Sequence, residues 1–349
     1  MLQLIFGGIS PDIALNFGTA NTLVYAKNRG VILSEPSYIA IHDQGKETGK
    51  VAGVGAKARE LSGRTSARIK SSSPLRSGVI HNFEHAQVFL KYIFDKVQKK
   101  SHFMRSKVVI AIPAGVTPVE ERALVEAATA SGAGDIYLIE ESIVSALGAG
   151  LPVMEACGSM IVDLGAGTST VSVLSLGGIV RSEITQTAGN SLDRKIIEYV
   201  RRIRRAIIGE HTAEEVKIAV GAAAPTNLSS GVGPTLEVQG RDLTTGLPTS
   251  LTLSEQEILP VLSEPLTEIC RLIQRVLEKT PPEMSADIAE RGLVLVGGGS
   301  LLKNIDLWIS ECIGIPVSLV EDPLTTAVVG SGKILEEWSE YSRLLSRVM

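Results

Sequence analysis

A glycine-rich hairpin pattern occurs twice in this sequence, and this repetition constrains the fold more than any other feature. In each copy an apolar strand carries a polar residue, Asn16 or Asp163, two positions before the glycine that opens a turn, Gly18 or Gly165. The copies lie 147 positions apart, from Asn16 to Asp163, and an apolar strand follows each turn. This arrangement predicts two β-hairpins, in whose turns glycine permits positive φ and close backbone approach.

A strand followed by a helix also occurs twice, after each hairpin. Residues 107–112 form an apolar run, after which Thr117 and Glu120 have the spacing of a capping box. The apolar run 293–296 ends in three glycines, and Ser300 is expected to open the next helix. We therefore predict an α/β fold of two duplicated domains that face each other across a cleft. A chance recurrence of glycine-rich turns is the alternative.

The duplication divides the chain into two domains, each with a small insertion. Domain I is expected to comprise residues 1–149 and 325–349, with an insert at about 34–80. Domain II is expected to comprise residues 150–324, with an insert at about 210–256. The inserts contain many strand-forming and turn-forming residues, which predicts small subdomains rich in strands.

Charge and composition exclude several classes of function. The net charge is −4 and the pI about 5.9, so no nucleic-acid partner is expected. Amphipathic helices are predicted at 84–98 and 191–208, and the arginines near the end of the second are expected on a solvated face. No apolar run approaches the ~18 to 20 residues of a transmembrane helix. The three cysteines and five histidines show no metal-ligand spacing.

The glycine clusters have the features of a polyphosphate site. Backbone N–H groups of tight turns and the hydroxyls of Thr or Ser bind anionic oxygens. A carboxylate at the end of a strand can hold hydrated magnesium, and the helix expected to start at Ser300 would favour an anion at its N-terminus. One such cluster is a weak signal. Three clusters in the duplicated order indicate a single site.

Several strings resemble motifs of the actin superfamily, and within it those of the MreB family of bacterial cell-shape proteins. The strings are GTANTLVY at 18–25, YLIEES at 137–142, GAGLP at 148–152, GSMIVD at 158–163, GEHTAEEVK at 209–217, ERGLVLVGGGSLL at 290–302, EDPLTT at 321–326 and GSGK at 330–333. The resemblance covers residues 12–337. It implies an actin-like (ribonuclease H-like) α/β fold, with duplicated domains around a nucleotide cleft and two small inserted subdomains.

The resemblance implies ATP and Mg²⁺ as cofactors and a role for individual positions. The residues implied to bind ATP are Asn16, Gly18, Thr19, Ala20, Asn21, Gly165, Ala166, Gly167, Thr168, Glu214, Lys217, Gly297, Gly298, Gly299 and Ser300. Asp163 matches a carboxylate on the magnesium side, with Asn16 acting through water. Glu141 matches the catalytic residue that orients the attacking water. Without the resemblance, Glu141 would be interpreted as a carboxylate favoured by the dipole at a helix start.

The sequence departs from the family pattern inside the implied site. The departures are Asn16, Asn82 and Asn190 for aspartates, Thr170 for a glutamate, Ala166 for a glycine and Ser142 for a proline. We expect retained nucleotide binding with weak ATPase activity, slower than in a standard member. A hydrolysis-deficient scaffold that co-assembles with a standard member is the alternative. A small-molecule kinase on the same fold is disfavoured by the MreB-like strings, and a chaperone-type ATPase by the short sequence after Glu337.

The family resemblance also implies assembly and a membrane location. MreB-like proteins form head-to-tail protofilaments that pair antiparallel, so this chain is expected to contact itself. Phe103 and Met104, with lysines and an arginine around them, are expected to insert into the anionic inner surface of the cell membrane. Leu2, Ile5 and Phe6 could add a weak anchor, local packing being the alternative. The implied location is the cytoplasmic face of the membrane, and the implied partners are elongation-machinery proteins such as MreC and RodZ.

Overall fold

The structure, a computed structural model, describes residues 11–43, 48–63, 69–97, 106–226 and 233–347. The residues expected to contact the membrane lie outside the described residues: Phe103, Met104, Leu2, Ile5 and Phe6. Within the described ranges, no helix combines the length and the hydropathy needed to cross a bilayer.

The chain divides into two compact units. The first comprises Met1–Glu155, Leu176–Ile179 and Leu324–Met349. The second comprises Ala156–Ser175 and Val180–Pro323.

The first unit is built on a mixed sheet with helices packed on it. Its strands are β1 (Ile13–Phe17), β2 (Asn21–Ala26), β3 (Gly30–Pro36), β4 (Ile39–His42), β5 (Val51–Val54), β6 (Ile69–Ser72), β7 (Leu75–Arg76), β8 (Val79–Ile80), β9 (Lys107–Ile112), β10 (Asp135–Glu140) and the late β19 (Ser346–Arg347). Its helices are α1 (Ala56–Leu61), α2 (Phe83–Val97), α3 (Pro118–Ala130), α4 (Glu141–Gly148), α10 (Thr326–Glu336) and α11 (Trp338–Tyr341). The main sheet has the order β19-β10-β9-β1-β2-β3.

The second unit has a main sheet of the same kind. Its strands are β11 (Ser159–Leu164), β12 (Ser169–Ser175), β13 (Gly178–Thr185), β14 (Ala206–Ile207), β15 (Thr235–Asp242), β16 (Pro248–Ser254), β17 (Leu293–Val296) and β18 (Val317–Leu319). Its helices are α5 (Gly189–Ile203), α6 (Glu210–Val220), α7 (Glu255–Glu278), α8 (Pro282–Arg291) and α9 (Ile305–Ile313). The main sheet has the order β13-β12-β11-β17-β18.

The two main sheets confirm the predicted duplication, because five strands follow one another in the same order in both. β1 pairs antiparallel with β2 and parallel with β9, as β11 does with β12 and β17. Asn16 lies opposite Leu23 on the antiparallel side, and Asp163 lies opposite Thr170. Asn16 and Asp163 therefore occupy the same position in the two sheets.

The local structure of the first unit follows from its sequence pattern. The apolar run of β9 is almost wholly buried, as expected for a strand between parallel neighbours that is covered on both faces. Helix α3 begins with the predicted capping box, in which the Thr117 hydroxyl accepts from the Glu120 N–H and the Glu120 carboxylate accepts from the Thr117 N–H. Helix α2 buries Phe89 and Ile93 against the sheet.

Each unit carries a small additional sheet. The strands of the first lie within the predicted insert at 34–80, and in the second β15 and β16 lie within the predicted insert at 210–256 while β14 precedes it. The order is β5-β4-β6 in the first unit, with α1 packed nearby. In the second unit β14, β15 and β16 form an antiparallel sheet. These are the two inserted subdomains that the sequence predicts.

Two predicted helices differ from the structure. The helix expected at 191–208 ends at Ile203, because Arg205 adopts a left-handed φ of 52° and Ile207 belongs to β14. Ser300 does not open an α-helix. It lies in a four-residue 3-10 helix, and α9 starts only at Ile305. The prediction that an α-helix starts at Ser300 and binds an anion at its N-terminus is therefore wrong.

Candidate functional site

Two turns of identical construction stand at the predicted phosphate motifs. We call residues 18–21 the first turn and residues 165–168 the second turn. In the first, the Gly18 N–H donates to the Asn21 carbonyl at 3.1 Å, and in the second the Gly165 N–H donates to the Thr168 carbonyl at 3.0 Å. A Cβ would lie 2.7 Å from the carbonyl oxygen at Gly18 and 2.9 Å at Gly165. Close approach therefore selects these glycines, and neither adopts a positive φ.

Side chains from the insert bind the carbonyls of the first turn. The Ser37 hydroxyl donates to the Gly18 carbonyl at 2.6 Å, and the Ser37 N–H donates to the Ala20 carbonyl at 2.8 Å. The Ser73 hydroxyl donates to the Thr19 carbonyl at 3.0 Å. No acceptor in the described ranges receives the N–H of Thr19 or of Ala20. All three carbonyls are thus bound, while two donors stay available.

The start of helix α5 binds the carbonyls of the second turn. The Gly189 N–H donates to the Gly165 carbonyl at 3.0 Å, and the Asn190 N–H donates to the Ala166 carbonyl at 2.8 Å. These two N–H groups lie at the N-terminus of α5, where backbone N–H groups have no acceptor within the helix. The N–H groups of Ala166 and Gly167 receive no acceptor from the part of the chain that the structure describes.

Both turns have the chemistry of an anion site. Buried or half-buried backbone donors need an acceptor, and successive N–H groups of a turn form a concavity that suits an oxyanion. The second turn also abuts the N-terminus of a 15-residue helix, whose macrodipole favours negative charge there.

Asp163 packs directly against the triple glycine. Gly297 has a φ of +81°, and a Cβ there would clash with Asp163 Oδ1 and lie 2.6 Å from the Leu164 carbonyl oxygen. A Cβ at Gly299 would lie 2.8 Å from the same oxygen. Only glycine at both positions lets the 3-10 helix approach the end of β11. Ser300 is 1% exposed, and its hydroxyl donates to the Val296 carbonyl at 2.5 Å.

The predicted magnesium residues supply few ligands of their own. No group of three or more His, Cys, Asp or Glu side chains that could hold a metal ion occurs in the described ranges. Asp163 and Asn16 are both half-buried at the ends of their strands. Mg²⁺ commonly retains waters and binds through one or two carboxylates together with substrate phosphates. A single carboxylate beside an anion-binding turn is consistent with this way of binding Mg²⁺. It is not consistent with a site in which protein side chains supply all the ligands.

Lys217 is held inside the second unit by Asp193, which the sequence analysis did not select. Lys217 Nζ donates to Asp193 Oδ2 at 3.0 Å and to the Gly189 carbonyl at 3.2 Å, and it lies 2.8 Å from Asp193 Oδ1. Burial raises the pKa of Asp193, while the lysine opposes that shift. Asp193 stands four residues after Gly189, on the buried side of α5. An acid on the apolar face of a predicted helix is the signal that could have identified it.

Glu214 lies on the same helix as Lys217, one turn earlier. Its Oε2 is 4.0 Å from His211 Nδ1, and its side chain is 34% exposed. Its charge contributes to the raised pKa of Asp193.

Glu141 is the first residue of helix α4, directly after β10. Strands β1, β9 and β10 run parallel, with Ala111 opposite both Asn16 and Ile139. The carboxyl ends of parallel strands meet at one edge of a sheet. Glu141 therefore stands at the same sheet edge as the first turn. Burial and the charge of Glu121 raise the pKa of its neighbour Glu140.

The residues that depart from the family pattern have distinct environments. Thr170 is 8% exposed and directly opposite Asp163. Asn82 caps helix α2, its Oδ1 accepting from the His85 N–H at 3.0 Å, a role that asparagine fills as well as aspartate. Ser142 is buried in α4. Asn190 contributes its backbone N–H to the second turn while its side chain is exposed.

Comparison with known proteins identifies the family. A family model described as MreB/Mbl protein matches residues 10–343. The chain belongs to the MreB/Mbl family. The cell shape-determining protein MreB of Escherichia coli (strain K12) is 44% identical to it over 339 residues, which cover 96% of this chain and 96% of that protein.

Solved structures establish that this MreB/Mbl chain has an actin-like fold. MreB5 of Spiroplasma citri bound to AMPPNP has a TM-score of 0.88 and 34% identity, covering 96% of this chain and 98% of that one. A chain of a MamK double helical filament has a TM-score of 0.77 and 19% identity, covering 93% of this chain and 99% of that one. The second likeness concerns the fold alone.

Proposed function

We propose that this MreB/Mbl chain binds an adenine nucleotide together with Mg²⁺ and assembles into membrane-associated filaments that organise cell shape and wall synthesis. The observation that carries nucleotide binding is the pair of turns whose carbonyls are hydrogen-bonded, while the N–H groups of Thr19, Ala20, Ala166 and Gly167 receive no acceptor within the described ranges. Spiroplasma citri MreB5 has been solved bound to AMPPNP and bound to ADP. That relative supports an adenine nucleotide as the ligand.

Backbone N–H groups are the phosphate ligands in this proposal. The N–H groups of the first turn and of the second turn donate to phosphate oxygens. Residues 297–300, whose glycines leave the backbone bare, and Glu214 contact the adenosine. Because these donors are fixed by hydrogen bonds within the protein, they need little reorganisation when an anion arrives.

The remaining site residues act on water and on the metal. Mg²⁺, when bound, neutralises part of the phosphate charge. Asp163 would hold the hydrated ion, and Asn16 would act on it through water. The Glu141 carboxylate accepts a hydrogen bond from the attacking water and orients it toward the phosphate.

We propose that hydrolysis is slow in this chain. Asn16 and Thr170 are neutral where the family pattern has acids, so the negative charge around the water and the metal is reduced. Hydrogen bonds to charged groups contribute about 1.5–3 kcal/mol and neutral ones about 0.5–1.5. Asn16 is therefore expected to weaken metal-linked binding by about 1 kcal/mol, which is tenfold at most. Groups that position water or move protons matter more, by about 10²–10⁴-fold in rate.

Phosphate release measured for the natural chain and for Asn16→Asp tests slow hydrolysis. We expect a faster rate in the variant. Equal and brisk rates in both proteins would reject slow hydrolysis. No release from either protein, together with intact ATP binding, favours the second candidate, a hydrolysis-deficient scaffold that co-assembles with a standard MreB.

Calorimetric titration with MgATP and MgADP tests nucleotide binding directly. Ala166→Asp places a carboxylate in the second turn, where its repulsion of phosphate is expected to weaken ATP binding by about 100-fold. Leu176→Asp is the matched control, because Leu176 is 69% exposed in the turn at the other end of β12 and already has a φ of 51°. Aspartate tolerates that conformation. No heat with either nucleotide would reject the proposal.

Filament formation and cell-shape function rest on family membership. The Escherichia coli relative carries the name cell shape-determining protein MreB. A head-to-tail contact between identical chains does not close and therefore extends into a filament. Electron microscopy of the purified protein with ATP, with ADP and without nucleotide tests this, and the absence of filaments under all three conditions would contradict it.

Membrane binding rests on the resemblance of residues 99–105 to the MreB membrane-insertion loop. Phe103→Ser combined with Met104→Ser is expected to reduce co-sedimentation with anionic liposomes, because large apolar side chains ringed by cations favour that surface. Unchanged co-sedimentation would remove this loop as the anchor. Interaction with MreC or RodZ is part of the same proposal and is tested by pull-down with the purified chain.

A further inference from the structure

Lysine, aspartate and glycine are joined in a buried cluster beside the second turn. Lys217 comes from α6, and Asp193 and Gly189 come from α5. The lysine donates both to the Asp193 carboxylate and to the Gly189 carbonyl. Asp193 is 8% exposed, and its Oδ1 receives no hydrogen bond in the described ranges although Lys217 Nζ lies 2.8 Å away.

Gly189 connects this cluster to the second turn. Its carbonyl accepts from Lys217 while its N–H donates to the Gly165 carbonyl at 3.0 Å. A Cβ at Gly189 would lie 3.4 Å from Ala166 Cα and 3.5 Å from Lys217 Nζ. One peptide segment therefore stands between the lysine and the turn.

The ammonium group of Lys217 is committed to this segment. A lysine has three N–H donors and no acceptor, and hydrogen bonds to Asp193 and Gly189 occupy two of them. Moving Lys217 toward a ligand would leave a buried carboxylate without its counter-charge, which is strongly unfavourable. The cluster is thus more stable with the lysine in place.

We propose that Asp193 is a positioning residue for the phosphate-binding turn. It fixes Lys217 on the Gly189 carbonyl, which keeps the start of α5 hydrogen-bonded to the carbonyls of Gly165 and Ala166. Lys217 then acts on the phosphates through the turn. The family resemblance implies that Lys217 binds the nucleotide directly, and this proposal replaces that role. This inference rests on the proposed nucleotide binding.

The first test compares ligands with and without phosphates. In Asp193→Asn and in Lys217→Met, the affinity for MgATP is expected to fall by about tenfold, while the affinity for adenosine, measured by competition, changes less than twofold. The double variant is expected to lose no more than the more affected single variant, because the two residues act as one unit. An equal loss for ATP and adenosine would overturn the proposal, since it would indicate direct contact with adenosine or a general loss of structure.

The second test needs no ligand. Amide hydrogen exchange at Gly189 and Asn190 is expected to accelerate by about tenfold in Asp193→Asn, since those N–H groups are held on the turn. Unchanged exchange at both amides would overturn the positioning role. If the natural chain bound no nucleotide, the proposed function would fail, while this readout would still report on the cluster.

The matched control is an exposed ion pair on the same helix. Lys195 Nζ lies 2.7 Å from Glu264 Oε2, and the two side chains are 36% and 78% exposed. Lys195→Met removes a lysine from α5 outside the cluster. It is expected to leave the ATP affinity and the exchange of Gly189 unchanged.

Discussion

The first and second turns are two copies of one device, but different parts of the protein stabilise them. Each closes with a glycine N–H bonded to a carbonyl three residues later, and in each two N–H groups receive no acceptor from the residues that the structure describes. The hydroxyls of Ser37 and Ser73, with the Ser37 N–H, hold the first turn. Two backbone N–H groups at the start of α5 hold the second.

This difference determines where each turn is vulnerable. A serine hydroxyl disappears with a single substitution, whereas a backbone N–H is lost only to proline. The second turn also has the positive end of a helix dipole beside it. We therefore expect the second turn to bind phosphate more strongly and to tolerate side-chain changes better.

The largest difference in stability between the two units is expected from substitutions of the glycines that follow the equivalent strands β17 and β9. Gly297→Ala combines an unfavourable φ with contacts of the new Cβ on Asp163 and Leu164. It should lower the free energy of unfolding by about 2–5 kcal/mol. Gly115 follows β9, the counterpart of β17, with a φ of +74° and open space around it. Gly115→Ala should cost only about 1–2 kcal/mol in urea unfolding. Equal costs would show that the packing against Asp163 matters little.

A smaller effect is expected when one serine is removed from each turn's surroundings. Ser37→Ala leaves the Gly18 carbonyl and the Thr22 hydroxyl without a partner, since the Thr22 and Ser37 oxygens are 2.8 Å apart. ATP affinity should fall by about tenfold. Ser169 adjoins the second turn and donates to the Thr187 carbonyl at 2.7 Å, so Ser169→Ala should destabilise the fold by about 1 kcal/mol and leave ATP affinity within twofold. Calorimetry and thermal unfolding of both variants separate these outcomes, and a larger affinity loss in Ser169→Ala would reverse the comparison.

The smallest effect concerns stability at acidic pH and comes from a glutamate on each of the equivalent strands β13 and β3. Glu183 on β13 accepts hydrogen bonds from Lys279, Arg181 and Arg275, and these cations lower its pKa to about 2. The pKa of Glu183 is lower in the folded state than in the unfolded state. The ionised Glu183 therefore adds to the free energy of unfolding above pH 4.5, and this contribution is lost as the pH falls toward 2. The cations are 39–49% exposed, so about 1 kcal/mol is expected.

Unfolding of the natural chain and of Glu183→Gln measured across this pH range tests the sign. The stability difference should shrink as the solution becomes more acidic. On β3, the counterpart of β13, Glu35 accepts from Lys96 and its pKa is lowered as well. Glu35→Gln should show the same direction of change, and a difference that grows on acidification would contradict both.

The sequence predicted the elements whose signals are local. The strand before each turn, the capping box at Thr117 and the repeated strand order all follow from short patterns. The end of α5 was missed because nothing near Arg205 signals its left-handed conformation. The helix after the triple glycine was placed too early because Ser300 resembles an N-cap, while its hydroxyl donates back to Val296 and α9 starts later.

The parts of the site that the sequence did not reveal are long-range. Ser37 and Ser73 reach the first turn from 19 and 54 residues away. Asp193 meets Lys217 from 24 residues away. Such partners depend on how the chain folds back on itself, which glycine motifs do not encode. The predicted roles of the site residues in binding and catalysis stay predictions.

Asn190 gives the arrangement of the second turn a practical use. Its N–H is bonded to the Ala166 carbonyl while its side chain is exposed. An environment-sensitive dye on a cysteine introduced by Asn190→Cys would sit beside the turn without removing any backbone hydrogen bond that holds it. The labelled chain would then report the arrival and departure of the proposed ligand in real time, as a change in fluorescence.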